Sequence, residues 1–350
     1  MGLLKRLAQR RAWNDAVAHE EAGRVREARD AYRAIGTGPA LLRAGALSSR
    51  LNELTAARQL LDEAVKLMPE NADAWFHLAS VCLELRDTAR ADELFHEALK
   101  RGPDRVDILH AQAVYYGQRL PKAGLEAEKR AVSRMLEQLA DPARAAAFES
   151  LAFPRELPLI AIRNLALEQQ LVADAEAYFR ELAGGGGPAW IRAAACMHHG
   201  LMLANTGRPA EAIPLYRAAL AAAPDLHEAH YDIAMAHMRA GELDAARTEM
   251  SIYAKLFPKS PVTTYGTALI AETRGDAAES TRLYKFFLDR VAKHPPAPQS
   301  LARLDIARSW VEHAKAFIEA VERHDSEGHE WRDQPGEDDA MSGRYGPPAP

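Results

Sequence analysis

Between Ala193 and Ser260 the chain repeats itself with a shift of 34 residues. Gly200, Gly207, Ala212, Tyr216, Ala219 and Pro224 return as Ala234, Gly241, Ala246, Met250, Tyr253 and Pro258. A unit this short cannot bury its own apolar face, so its copies must stack on one another. That requirement constrains the chain more than any other feature. It predicts a solenoid whose long inner surface is available for binding, and it leaves open what is bound.

Composition agrees with a helical array. Aromatic residues make up only 7% of the 350 residues, and alanine, leucine, glutamate and arginine are abundant. The mean hydropathy is -0.30, the profile of a soluble helical protein. An array grows by adding units, so length alone does not set a domain count. Two cysteines, Cys82 and Cys196, are too few for a disulfide framework and each sits in an apolar helical pattern, which fits a reducing compartment. At the start, Leu3, Leu4 and Leu7 are the only apolar weight before Arg10 and Arg11, too short for a signal-peptide core. Arg6 stands where myristoylation would want serine or threonine. No run of about 18 apolar residues is present, so no membrane span is expected, and the default location is cytoplasmic. The net charge of -5 is concentrated from Asp325 onward, where seven acidic side chains face only Arg332 and Arg344. The remainder is charge-balanced and lacks the basic stripe that nucleic-acid binding needs.

Taken in order, residues 1–37 read as a degenerate first repeat of two helices, with Gly23 at the turn and Ala28, Ala31 and Tyr32 on one face. Residues 38–105 hold two clear copies: Gly45, Ala57, Leu61, Ala64 and Pro69 return as Ala79, Ala91, Phe95, Ala98 and Pro103. Small residues such as Ala79 and Ala91 let two antiparallel helices approach closely, while Trp75, Leu78 and Phe95 fill the space beside them. Pro103 stops the second helix. The series Trp75, Leu78, Ala79, Cys82, Ala91, Phe95, Ala98 and Pro103 resembles the tetratricopeptide repeat pattern, with Cys82 in place of the usual tyrosine. The resemblance implies an all-α fold, a right-handed solenoid of antiparallel helix pairs.

Residues 106–183 break the rhythm. They read as degenerate helical repeats in which PKAGLEAEKRAVSRMLEQLAD is long for a second helix and AAAFESLAFPRELP is an insertion. Residues 184–188 are glycine-rich; four consecutive glycines cannot hold a helix, so a hinge is expected there. Residues 189–294 form three repeats, the last carrying Ala268, Gly275, Ser280, Tyr284 and Phe287 in register. Residues 295–324 read as a capping helix with Ile306, Trp310, Ala314, Phe317, Ile318 and Val321 on one face. Residues 325–350, charged and rich in glycine and proline, read as an acidic disordered tail.

The resemblance also implies that the first helix of each pair lines the concave face. In the three later repeats one stripe of that helix carries Met197, Leu201 and Ala204, then Tyr231, Met235 and Met238, then Tyr265, Leu269 and Glu272. Each set follows the i, i+4, i+7 spacing of one helix face. A second stripe, beginning with Cys196, His199, Gly200 and Leu203, already supplies the packing within the pair. Two readings of the extra stripe stand side by side: packing against the next repeat or the cap, or a groove of Met and Tyr that takes an apolar or amphipathic segment, methionine being adaptable in that role. The second is preferred, with Met197, Leu201, Tyr231, Met235, Met238, Tyr265 and Leu269 as the contact residues. Apolar residues at these positions leave no lysine, asparagine and arginine clamp for a terminal carboxylate. In the earlier repeats Phe76 is the one obvious anchor, and in the tail Trp331 stands alone in a polar setting as a candidate linear motif.

Histidines gather at His198, His199, His227, His230 and His237, yet no HExxH or paired CxxC accompanies them, so no metal is expected. There is no GxSxG, P-loop or dinucleotide fingerprint, so no catalytic residue and no cofactor are expected either. The reading is a cytoplasmic, non-enzymatic adaptor, scaffold or chaperone-like protein that holds another polypeptide. The alternative is a substrate-recruiting or regulatory subunit of a separately encoded, protein-modifying enzyme. A self-assembling homo-oligomer is a third arrangement compatible with the repeats.

Overall fold

The computed structural model describes residues 3–150, 154–293 and 301–326, and among them every regular element is a helix. The contacts divide the chain into two compact units, Met1–Leu165 and Ala166–Pro350. Unit 1 contains α1 (Leu3–Glu21), α2 (Val25–Ile35), α3 (Gly38–Arg50), α4 (Leu54–Leu67), α5 (Ala72–Glu84), α6 (Thr88–Arg101), α7 (Val106–Gly117), α8 (Pro121–Ala140), α9 (Pro142–Ser150) and most of α10 (Leu157–Glu168). Four pairs, α1 with α2 through α7 with α8, stack in series, and α9 lies against α8. Unit 2 contains α11 (Val172–Gly184), α12 (Ala189–Asn205), α13 (Pro209–Ala222), α14 (Ala229–Arg239), α15 (Leu243–Leu256), α16 (Pro261–Thr273), α17 (Ala277–Lys293) and α18 (Leu301–Ser326). Here α12 to α17 form three stacked pairs, with α11 packed on α12 before them and α18 packed on α17 after them.

The repeated small residues work as the pattern demands. An added Cβ at Gly45 would meet the Leu61 side chain at 2.5 Å, and one at Gly200 would meet the Tyr216 ring at 2.6 Å. The matching alanines Ala79, Ala113, Ala234 and Ala268 are all buried. Leu61, Phe95, Tyr216 and Tyr284, the large residues that fill the space opposite, are buried as well. A second recurring slot lies in the turn between the helices of a pair. Gly207, Gly241 and Gly275 all have φ of +79°, while Asn52 and Arg86 hold the same slot at +60° and +64°. A left-handed residue here reverses the chain, and only glycine occupies it without a Cβ penalty.

The fourth pair of unit 1, α7 with α8, departs from the rule. Its first helix, α7, has 12 residues against 13 for α3 and α5, and Gly124 approaches Gly117 so closely that a Cβ on Gly124 would lie 2.5 Å from the Gly117 backbone. The register of α8 shifts with it, and Glu128 comes to the place that Leu61 and Phe95 take in the pairs before. It is buried and held by His110, whose Nδ1 lies 2.8 and 2.9 Å from its two carboxylate oxygens.

The glycine run at 184–187 does not mark the division. On its two sides α11 and α12 pack together, with Phe179 buried 6.4 Å from the His199 ring, and the units part inside α10. The capping role of the last helix is visible at Ala314, Ile318 and Val321, all buried, and at Trp310, which stacks on Tyr265 at 4.6 Å. Residues 327–350, read above as a tail, lie outside the described residues.

Two glycine substitutions, one at the small slot and one two residues before it, separate packing from helix propensity. Replacing Gly200 with alanine drives a methyl group into a ring held in the core, and we expect a loss of about 1–3 kcal/mol, more than offsetting the gain in helix propensity. Gly266→Ala meets the flexible end of Met250 at 2.6 Å and the Tyr231 ring at 3.3 Å, so its loss should be smaller than at Gly200, with the propensity gain of roughly 1 kcal/mol offsetting most of it. At the turn slot, Arg86→Gly should stabilise by about 1 kcal/mol. Urea unfolding followed by circular dichroism measures all three, and an unchanged midpoint for Gly200→Ala would show that Tyr216 yields freely.

Candidate functional site

The first helices of the unit 2 pairs, α12, α14 and α16, carry the stripe expected to bind, and the structure treats its members unequally. Tyr265 is 2% exposed, Met235 5% and Leu269 8%. Tyr265 is covered by α18: Trp310 stacks on it nearly parallel, Phe287 lies 5.3 Å away, and its hydroxyl is 3.1 Å from Nδ1 of His313. Met235 and Leu269 belong to the same core. At the other end Met197 and Leu201 are half-buried, resting on a core of Leu203, Ile213, Tyr216 and Ile233 while keeping part of their surface open. Tyr231 and Met238 are likewise half-buried. The Tyr231 ring lies 5.7 Å from Tyr253, and its hydroxyl is buried without a hydrogen-bond partner. Burial pushes the Tyr231 phenol far above its ordinary pKa, so it stays a neutral donor.

The stripe therefore divides. Its end at Tyr265 is core because α18 brings aromatic residues over that ring, and Met235 on α14 and Leu269 on α16 are buried in the core they share with Met250 and Tyr253. Its near part, Met197, Leu201, Tyr231 and Met238 on α12 and α14, is the apolar surface that remains accessible. Phe76, in unit 1, is half-buried against Phe95 at 6.3 Å and rests on the core of α3 to α6. Trp331 lies outside the described residues.

Three of the five histidines read from the sequence as a cluster go to separate carboxylates. Nδ1 of His230 lies 2.8 Å from Glu249, Nδ1 of His237 lies 2.5 Å from Glu242, and Nε2 of His199 lies 3.9 Å from Glu176. Glu176 is also held by Arg208. Among the described residues no three His, Cys, Asp or Glu side chains are grouped to hold a metal. Cys82 and Cys196 are both buried free thiols, and burial raises their pKa, which makes them poor nucleophiles. The sequence reading missed the glutamate partners. The available signal was positional: His110 and His230 sit on first helices, and Glu128 and Glu249 lie at almost the same distance along the following second helices.

These interactions carry a pH dependence. Burial holds the pKa of His199 below the usual value, with Glu176 only partly opposing it, and burial does the same to His77 against Asp73. Above about pH 6.5 neither group binds a proton in the folded or unfolded chain. As the pH falls below that value the unfolded chain takes up protons that the folded chain resists, so stability declines. We expect a lower urea midpoint at pH 5.5 than at pH 7.5, and a shallower difference in a His77→Gln, His199→Gln double variant. An unchanged slope in that variant would assign the acid sensitivity to other groups.

Among the described residues no helix is long and apolar enough to cross a membrane. Two stretches, residues 50–113 and 203–262, match the family model for the tetratricopeptide repeat. No curated protein sequence matches the chain. In overall fold the chain is similar to PilW, a widely conserved type IV pilus biogenesis factor, at 19% identity and a TM-score of 0.36, covering 75% of this chain and 95% of that one. It is similar to pilF of Pseudomonas aeruginosa at 15% identity and a TM-score of 0.34, covering 83% and 98%. A tetratricopeptide repeat protein from Parabacteroides merdae is similar at 12% identity and a TM-score of 0.43, covering 88% and 99%.

Proposed function

We propose that this tetratricopeptide-repeat protein is a non-enzymatic adaptor or chaperone-like scaffold that holds an apolar or amphipathic segment of another polypeptide on the first helices of unit 2. The observation that carries the reading is the open part of the stripe. Met197, Leu201 and Met238 lie on the helix faces left over once each pair and its neighbours have packed, and they keep accessible surface. Methionine and leucine adapt to varied apolar partners, and an amphipathic helix presents side chains at the same i, i+4, i+7 spacing. The buried Tyr231 hydroxyl at the edge of this face is a donor without an internal acceptor. The covered end at Tyr265 sets the limit of the surface: a bound segment runs along α12 and α14 and stops where α18 begins. The two buried free thiols suit a reducing compartment, and we place the protein in the cytoplasm.

A photo-crosslinking residue introduced at Leu201 in the native host should capture one or a few polypeptides, identified by mass spectrometry. Met197→Glu combined with Met238→Glu should lower that capture about tenfold or more, with far-ultraviolet circular dichroism unchanged, because both side chains are already half in water. Loss of helical signal in the double variant would show that the stripe is core alone, and undiminished capture would place the partner elsewhere. A single catalytic protein captured in stoichiometric amount would make the chain a recruiting subunit.

A further inference from the structure

In unit 1 the departure of the fourth pair, α7 with α8, opens a cleft. The second helix α8 runs for 20 residues against 14 for α4 and α6, and α6 packs on α7 less closely than α4 packs on α5. Between α6 and α8, with α7 as the floor, lies a space of about 480 Å³. That volume is in the range of sites that enclose a side chain or a small ligand. Leu99, Pro103 and Leu109 form its apolar part.

The floor and the α8 wall are polar. Gln112, only 4% exposed, and Tyr116 face the cleft where the preceding pair has the buried Leu78 and Cys82. Tyr116 donates its hydroxyl to Asp92 at 2.7 Å, and burial together with that carboxylate pushes its pKa up to about 12. Tyr116 thus remains a neutral aromatic surface. Along the wall Arg134 is engaged by Glu137 at 2.7 Å and lies 3.7 Å from Asp104. Arg130, one turn away on the same wall, makes neither a hydrogen bond nor an ion pair with any described residue. A guanidinium beside an apolar recess, with no carboxylate of its own, matches a ligand that brings a carboxylate and an aliphatic group together.

We propose that this cleft binds an acidic peptide segment of a partner protein, a carboxylate of the segment meeting Arg130 while a neighbouring aliphatic side chain enters among Leu99, Pro103 and Leu109. The site is separate from the stripe on α12 and α14 and does not depend on it. Its charge makes the interaction sensitive to salt, because Arg130 is exposed and its field is screened within about 10 Å at 0.1 M ionic strength.

The test uses the full chain and a fluorescein-labelled hexapeptide of one leucine among five glutamates, compared with the same peptide carrying glutamines. Fluorescence anisotropy should show the glutamate peptide bound about tenfold more tightly at low salt, the preference shrinking as salt is raised. Arg130→Glu should abolish the preference, and Ser133→Trp, which fills the mouth of the cleft from an exposed position, should weaken binding of the glutamate peptide by about tenfold or more. Both side chains are exposed, so circular dichroism should remain that of the parent. Leu256→Glu, at an exposed position of α15 in unit 2, should leave binding unchanged. Equal binding of the two peptides, retention of the preference in Arg130→Glu, or loss of binding in Leu256→Glu would each overturn the proposal.

Discussion

The structure depends on how closely two helices of a pair can approach. At Gly45 and Gly200, and at the buried alanines that replace them elsewhere, the backbone of a first helix comes within side-chain contact of the second. A large residue then closes the space opposite: Leu61, Phe95, Tyr216 or Tyr284. Because that lock uses one face of the first helix and the next pair uses another, only a narrow strip of it is left for anything else. Where the lock is regular, as in α12 to α17, the leftover strip is apolar. Where it is altered, as in α7 and α8, polar residues enter the packing positions and a cleft appears.

The termination of unit 2 follows from the same geometry. The face of α16 would be open if the array ended there, exposing Tyr265 and Leu269. Trp310 stacks on Tyr265, His313 meets its hydroxyl, and Phe317 lies 5.3 Å from Tyr284, so α18 covers that face with aromatic surface of its own. His313 also lies 3.5 Å from Glu272, which accepts a hydrogen bond from Tyr284. Stacked rings contribute about 0.5–1.5 kcal/mol beyond their burial, so this contact does more than exclude water. It also fixes how much of the stripe a partner can use.

Much of the architecture was legible because it is periodic. A shift of 34 residues exposes the small slots, the large slots and the turn glycines together, and each answers to a local requirement that a single residue type meets. Gly207 and Gly241 are legible as a left-handed turn, and so is Asn52, a residue that tolerates that conformation. Arg86 is not, since nothing in its type announces a positive φ. The stripe was legible as a stripe, but its division was not: the helix that covers Tyr265 lies far along the chain, and periodicity carries no information on contacts at that separation. The parting of the two units inside α10 was hidden for a related reason, since Leu165 and Ala166 sit within one continuous helix while Gly184–Gly187, the visible break, joins helices that pack.

One missing residue accounts for the least legible feature. With α7 one residue shorter than α3 and α5, the register of α8 moves by one residue, and the place filled by Leu61 and Phe95 falls to the buried Glu128. Burial alone would raise the pKa of that carboxylate and favour its protonation, and His110 opposes the shift by offering a hydrogen bond. A carboxylate that costs energy to bury persists only where its surroundings satisfy it, and His110 supplies the bond from a position that carries Phe76 in the preceding pair. Arg130, Ser133 and Arg134 line the same cleft as Gln112 and Tyr116. The buried Glu128–His110 contact and the cleft thus both belong to the pair whose register departs from the repeat: the first satisfies a carboxylate placed in the core, and the second is space beside α8 that the regular pairs fill.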